Sequence, residues 1–131
     1  MFRVQHNDGG RQTRRGRRKD CVVRAIAIAL DRPYAQVAAD LEHLYGLPVD
    51  IQGVPREVYE PYLADAGWTW TPTMWIGKGC TVHLRPDELP SGRLIARVSR
   101  HLVAVIDGVI HDTHDPTRGG TRCVYGYYRR S

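Results

Sequence analysis

The sequence predicts a single α+β domain, with helices in its first half and an antiparallel sheet in its second. Two patterns carry that expectation. An alanine-rich apolar stretch at 20–30 has further helical spacing behind it, and short β-branched runs separated by turn signals begin at residue 93. The length of 131 residues fits one compact domain. Hydrophobic residues make up 42% and charged residues 25%, ordinary values for a globular protein, which excludes wholesale disorder.

The first element is Asp20-Cys21-Val22-Val23-Arg24-Ala25-Ile26-Ala27-Ile28-Ala29-Leu30. Asp20 is a good N-cap, only Arg24 interrupts the apolar run, and alternating alanines favour a helix over a strand. A helix apolar nearly all round must be buried on most sides, so this one is expected at the centre, with Cys21 in its first turn. Pro33 opens a second helix, with Val37, Ala38, Leu41, Leu44 and Tyr45 at helical spacing and Gly46 as its stop. Pro55 opens a third, with Val58, Tyr59, Tyr62 and Leu63 on one face and Gly67 as its stop. Residues 68–75 are aromatic and β-branched and read as extended. Residues 80–84 read as a short strand and 86–90 as a turn.

From Arg93 the pattern is β. Leu94 to Val98 makes one strand and His101 to Ile106 the next. Asp107-Gly108 is a strong hairpin signal, Val109 to Thr113 returns, and Cys123 to Tyr128 closes the sheet. The expectation is a buried cysteine helix packed on a C-terminal antiparallel meander of about four to five strands.

Charge is unevenly spread. Residues 1–19 hold seven basic groups against Asp8 alone, whereas the other 112 residues hold 12 basic and 13 acidic groups. The chain therefore divides into a basic arm, 1–19, and a nearly neutral domain, 20–131. Arg11, Arg14, Arg15, Arg17, Arg18 and Lys19 could make weak, unspecific contact with nucleic acid. No aromatic residue is interleaved with them to stack on bases, which favours a solvated arm.

No apolar run approaches the roughly 20 residues that cross a bilayer, and the opening MFRVQHNDGG lacks a signal-peptide core. A cytoplasmic protein without membrane contact is expected. Three cysteines, an odd number, then make a disulfide scaffold improbable.

A cysteine in the first turn of a buried helix lies where the helix dipole and free amides favour a thiolate and a developing oxyanion. Such a nucleophile needs a histidine to complete an ion pair and a third group to hold the imidazole. The hairpin supplies both by register. With a two-residue turn at Asp107-Gly108, His101 faces His114 and Val103 faces Asp112. His101, Val103, Val105, Ile110, Asp112 and His114 then share one side. Asp112 lies diagonally from His101, roughly 7–8 Å away between backbones, which two side chains can bridge. The candidate catalytic residues are Cys21, His101 and Asp112, with Asp115 before Pro116 a turn residue and the substitute acid.

These segments resemble those of the papain-like cysteine peptidases, especially compact bacterial branches such as bacteriocin-processing peptidase domains. DCVVRAIAIAL is similar to that family's cysteine helix and HLVAVIDGVIHDTHDP to its histidine hairpin, together 27 of 131 residues. The resemblance implies a papain-like core and thiol-dependent hydrolysis or acyl transfer at an amide or isopeptide bond of a protein or peptide. The family places a glutamine about six residues before the cysteine as an oxyanion donor. Arg15 stands there in this chain, which leaves Gln12 and Asn7 as the oxyanion candidates. The whole string is also similar to small uncharacterised phage and prophage proteins, which implies a bacterial host cytosol. The alternative reading is a non-catalytic phage-type binding protein whose basic arm contacts nucleic acid or an acidic host partner.

Cys80-x-x-His83 has spacing seen in zinc sites, and His111, His114 and Cys123 are further candidate ligands. A structural site wants four ligands, and the hairpin puts His111 and His114 on opposite faces. No metal and no cofactor is therefore expected. Cys123, alternating with Val124 and Tyr125, reads as a core strand residue. Trp68, Trp70 and Trp75 read as core fillers or as groove residues.

Overall fold

The structure, a computed structural model, describes residues 3–10, 19–49, 53–75 and 77–130. It is an α+β arrangement of three helices against a mostly antiparallel sheet. In chain order the elements are β1 (Arg3–His6), α1 (Cys21–Leu30), α2 (Tyr34–Tyr45), α3 (Arg56–Asp65), β2 (Trp68–Pro72), β3 (Met74–Trp75) and β4 (Gly79–Cys80). A 3-10 turn at Pro86–Glu88 leads to β5 (Arg93–Val98), β6 (His101–Ile106), β7 (Val109–Asp112) and β8 (Gly126–Arg130). No helix among the described residues is long and apolar enough to cross a membrane.

The main sheet has six strands in the order β1-β7-β6-β5-β8-β2, and β3 and β4 form a separate ribbon. Two departures from a simple meander stand out. After β7 the chain does not extend the sheet outward but crosses back, so β8 lies between β5 and β2. The place beside β7 is taken by β1, which pairs with it in parallel from Arg3↔Val109 to His6↔Asp112. Residues 3–6 of the basic segment are therefore a strand of the sheet. Arg11, Arg14, Arg15, Arg17 and Arg18, with the candidate Gln12, lie outside the described residues; Lys19 is exposed.

The predicted helices form close to their expected bounds. Pro33 and Pro55 stand at the N-caps of α2 and α3, and Gly46 ends α2 in the left-handed conformation. Alpha-1 ends at Asp31 (φ 54°), whose N–H and that of Arg32 return to Ala27 and Ile28. Val22 to Ala29 are all buried, Arg24 included. Small alanines let α1 lie closely on β5 and β6.

Leu94-Ile95-Ala96 and Leu102-Val103-Ala104-Val105 read as continuous apolar runs because both faces of the sheet are covered. Ile95, Leu102, Ala104 and Tyr128 pack against Val23, Ile26, Leu41 and Leu63 of the helices. Leu94, Ala96, Val103, Val105 and Ile110 pack against Leu84, Leu89 and Val124 on the other side. The predicted last strand starts three residues late. Val124 instead donates to Val82 and its neighbour Cys123 bridges His83, so residues 122–124 belong to the layer that covers the second face.

That bridge carries a correction. Cys80 and Cys123 form a disulfide, 5.7 Å apart at Cα, against the expectation of three separate thiols. An odd cysteine count hides one pair plus one free thiol, and Cys21 is the free one. Cys123 is accordingly a half-buried cross-link rather than a strand residue of the core.

Candidate active site

The β6–β7 hairpin has the register that its turn predicts, with Ala104↔His111, Val105↔Ile110 and Ile106↔Val109 paired around Asp107 and Gly108. Both turn residues have positive φ, 49° and 79°, as a two-residue turn between right-twisted strands requires. The ladder stops at Ala104↔His111, so Asp112, His101 and His114 lie beyond it at the open end of the hairpin. His101 Nε2 meets Asp112 Oδ2 at 2.6 Å, and the rings of His101 and His114 are 5.4 Å apart.

The start of α1 comes to the same place. Cys21, His101 and Leu102 line one cleft, and the His101 ring and the Leu102 amide lie close enough to the sulfur to act on its charge. Because Nε2 is engaged by Asp112, Nδ1 is the ring nitrogen left for the sulfur. The structure thus brings Cys21, His101 and Asp112 together from an α-helix and two strands, across 91 positions of sequence.

Arg24, which the sequence showed only as an interruption, turns out to tie these parts together. Its Nε donates to Asp20 Oδ1 at 2.9 Å and its Nη1 to Asp112 Oδ1 at 2.9 Å and to Thr113 Oγ1 at 3.0 Å. Asp20, Arg24 and Asp112 are all buried. Asp20 makes no side-chain cap on α1, contrary to expectation; its second oxygen accepts from the Tyr34 hydroxyl. The Asp20 side chain thus leaves the first-turn amides at Cys21 uncapped. The available signal was the Asp20–Arg24 spacing of one helical turn inside an apolar run.

The electrostatics follow from these contacts. Burial works against a charged His101, but the Asp112 carboxylate and the Cys21 sulfur reverse this and raise its pKa to about 9. Burial likewise pushes the Cys21 thiol up, and is outweighed by His101, the Leu102 amide and Arg24, which bring it below the usual thiol range. Burial would raise Asp112 too; its bonds to His101 and Thr113 and the Arg24 charge hold it below the usual carboxylate range. All three shifts favour a thiolate, an imidazolium and a carboxylate.

Beside the sulfur opens a cleft of about 250 Å³ whose lining includes Val54, Tyr59, Val98 and Leu102 together with Arg97 and Arg100. Trp68 is buried in the core, Trp70 packs on Tyr128 and Trp75 is exposed, so the tryptophans do not line this cleft.

Asn7 is not brought to Cys21. Beside β7 its backbone N–H donates to the Asp112 carbonyl at 3.0 Å, but its side chain is engaged elsewhere: Nδ2 meets His111 Nδ1 at 3.1 Å and Oδ1 accepts from the Gly9 N–H. It lines a hollow with Ile28 and Asp31 at the other end of α1. Asp115 is a turn residue, bonded to the Thr117 amide and hydroxyl.

Ligand-type atoms of His101, Asp112 and His114 also lie within 4.8 Å of one another. Both oxygens of Asp112 are already committed, and the Arg24 guanidinium 2.9 Å away opposes a metal cation there. Comparison with protein-family models, with curated proteins and with solved structures yields no match.

Proposed function

We propose that the protein is a cysteine-dependent hydrolase or acyl transferase acting at an amide or isopeptide bond, on a core of papain-like type. The observation that carries the reading is the meeting of the Cys21 sulfur and the His101 imidazole at one cleft, with that imidazole 2.6 Å from a buried carboxylate. In this reading the Cys21 thiolate attacks a carbonyl carbon of a peptide substrate held in the adjoining cleft. The S–C bond forms as the carbonyl π pair moves to oxygen, where the uncapped first-turn amides stabilise the charge. His101 gives its Nδ1 proton to the departing nitrogen as the C–N bond breaks, leaving a thioester on Cys21. His101 then takes a proton from water, which attacks the thioester and returns the thiolate. Asp112 holds the ring and stabilises its charged form, and Arg24 holds Asp112. The mechanism requires no cofactor. A bacterial host cytosol, implied by the resemblance to phage proteins, belongs to the same proposal.

The pH window follows from the shifts. His101, raised, favours the folded state below pH 6.5 and loses that contribution as pH climbs through about 9. Cys21, lowered, contributes above the ordinary thiol range and loses it as pH falls through its folded value. The ion pair therefore spans the interval between those limits. Alkylation of the disulfide-intact protein by iodoacetamide reads it directly. The expected rate at pH 7 is at least about tenfold above that of an ordinary thiol, from the larger thiolate fraction. His101→Ala removes this excess. A rate that follows an unperturbed thiol, unchanged by His101→Ala, would overturn the proposal. Turnover of a fluorogenic peptide-amide library, with Cys21→Ala as blank, is the companion assay for substrate.

A further inference from the structure

A second cluster stands apart from the cleft, where the β3–β4 ribbon meets the lead-in to β8. One ligand-type atom each of Cys80, His83 and Cys123 falls within 4.8 Å of the others, and all three residues are half-buried. We propose that in the reduced protein these three residues bind one zinc ion, with Glu88 orienting His83, and that the disulfide is the metal-free form of the same site. This inference is independent of the reaction assigned to Cys21.

Four features carry it. The donor set, two thiolates and an imidazole, suits zinc and leaves a fourth position for water. The frame does not depend on the disulfide. Residues 82–84 and 122–124 are joined by the bonds Leu84 N–H to Arg122 O (2.8 Å) and Val124 N–H to Val82 O (2.8 Å). His83 and Cys123 are paired across that bridge, which sets their side chains next to each other.

The sulfurs need little movement. A tetrahedral zinc holds two thiolates roughly 3.8 Å apart, given Zn–S bonds of about 2.3 Å. Cysteines 5.7 Å apart at Cα reach that separation by side-chain rotation.

The imidazole is already held as a metal ligand would be. Glu88 Oε1 contacts His83 Nδ1 at 3.1 Å and accepts the His83 backbone N–H at 2.9 Å. Nε2 is then the nitrogen available to a metal, the carboxylate–histidine arrangement that fixes tautomer and ring orientation in zinc sites.

Interconversion balances with a named partner. A trialkylphosphine and water reduce the disulfide to two thiols and a phosphine oxide, and zinc binding then releases two protons. A hydroperoxide reverses it: two thiolates give up two electrons to form the S–S bond. The O–O bond breaks to an alcohol and water with uptake of two protons, and zinc is released.

The test uses the full chain carrying Cys21→Ser, so that Cys80 and Cys123 are the remaining thiols. Cobalt(II) is the probe, followed by displacement with zinc. After phosphine reduction one equivalent is expected, with thiolate-to-cobalt charge-transfer bands and the strong visible bands of a four-coordinate ion. The oxidised protein shows none. Glu88→Gln weakens binding by about 10–100-fold with the same bands. His83→Ala keeps both cysteines, and hence the disulfide that supports folding, yet loses the four-coordinate spectrum and at least tenfold in affinity. No binding by the reduced protein would overturn the proposal. So would equal binding by the oxidised protein or an unchanged His83→Ala, either of which would mean loose thiolates or another site.

Discussion

Arg24 is 7% exposed between two carboxylates that are themselves 0% and 3% exposed. Removing one partner of such a group leaves an uncompensated buried charge, which costs more than the group contributes when intact. Arg24→Met removes the cation while keeping most of the apolar stem. The expected loss is about 3–5 kcal/mol in urea unfolding, together with slower Cys21 alkylation as Asp112 loses its anchor. Unchanged stability would show that the network is dispensable. At this scale Cys21, His101 and Asp112 are legible in the sequence because each is fixed by local rules, a helix start and the parity of a hairpin. Arg24 is not, since its decisive partner lies 88 residues away. Asn7 was misplaced for the same reason: its position depends on which strand β1 joins, and the pattern Arg3-Val4-Gln5-His6 does not specify that.

Among the elements, the β6–β7 hairpin positions the site, and its turn is the point where sequence and geometry meet most closely. Asp107 accepts the Gly92 N–H at 2.8 Å through Oδ1 and returns its own N–H to the Gly92 carbonyl, so the turn is anchored to the start of β5. Gly108 has φ 79°, and a methyl group there would come within 3.3 Å of Pro86 Cβ. Gly108→Ala is expected to cost about 1–2 kcal/mol from the left-handed backbone, without altering register. Thermal unfolding should shift down while the alkylation rate of Cys21 at 25 °C stays within about twofold, since the rate depends on the ion pair rather than on global stability. A large fall in rate would mean that the turn sets the register less firmly than the pairing implies. The helices and this hairpin are readable because their signals are local. Beta-8 is not, because residues 122–124 alternate like a strand but pair with 82–84 instead of β5.

For the whole molecule, the cross-link decides how the second layer is held on the sheet. Cys80 and Cys123 are 43 positions apart and span β5, β6 and β7, so their bond closes a loop containing the centre of the sheet. Loop-closure entropy for that separation is worth about 4 kcal/mol at 25 °C. Phosphine reduction in the presence of a chelator, so that no metal replaces the bond, should therefore lower the unfolding free energy by about 4 kcal/mol. Cys80→Ser should do the same in the absence of reductant. Such a loss exceeds what one surface ion pair supplies and is a large share of a small domain's margin. The exposed alkylation rate of Cys21 at low denaturant reports whether the loss is felt at the site. Cys21 packs with the helix layer, on the opposite face of the sheet from Leu84 and Val124 beside the cross-link, so its rate should hold until global unfolding begins. Parallel loss of stability and of thiol reactivity well below the unfolding midpoint would mean that the two faces of the sheet are coupled, and that the cross-linked layer supports the β6–β7 hairpin directly.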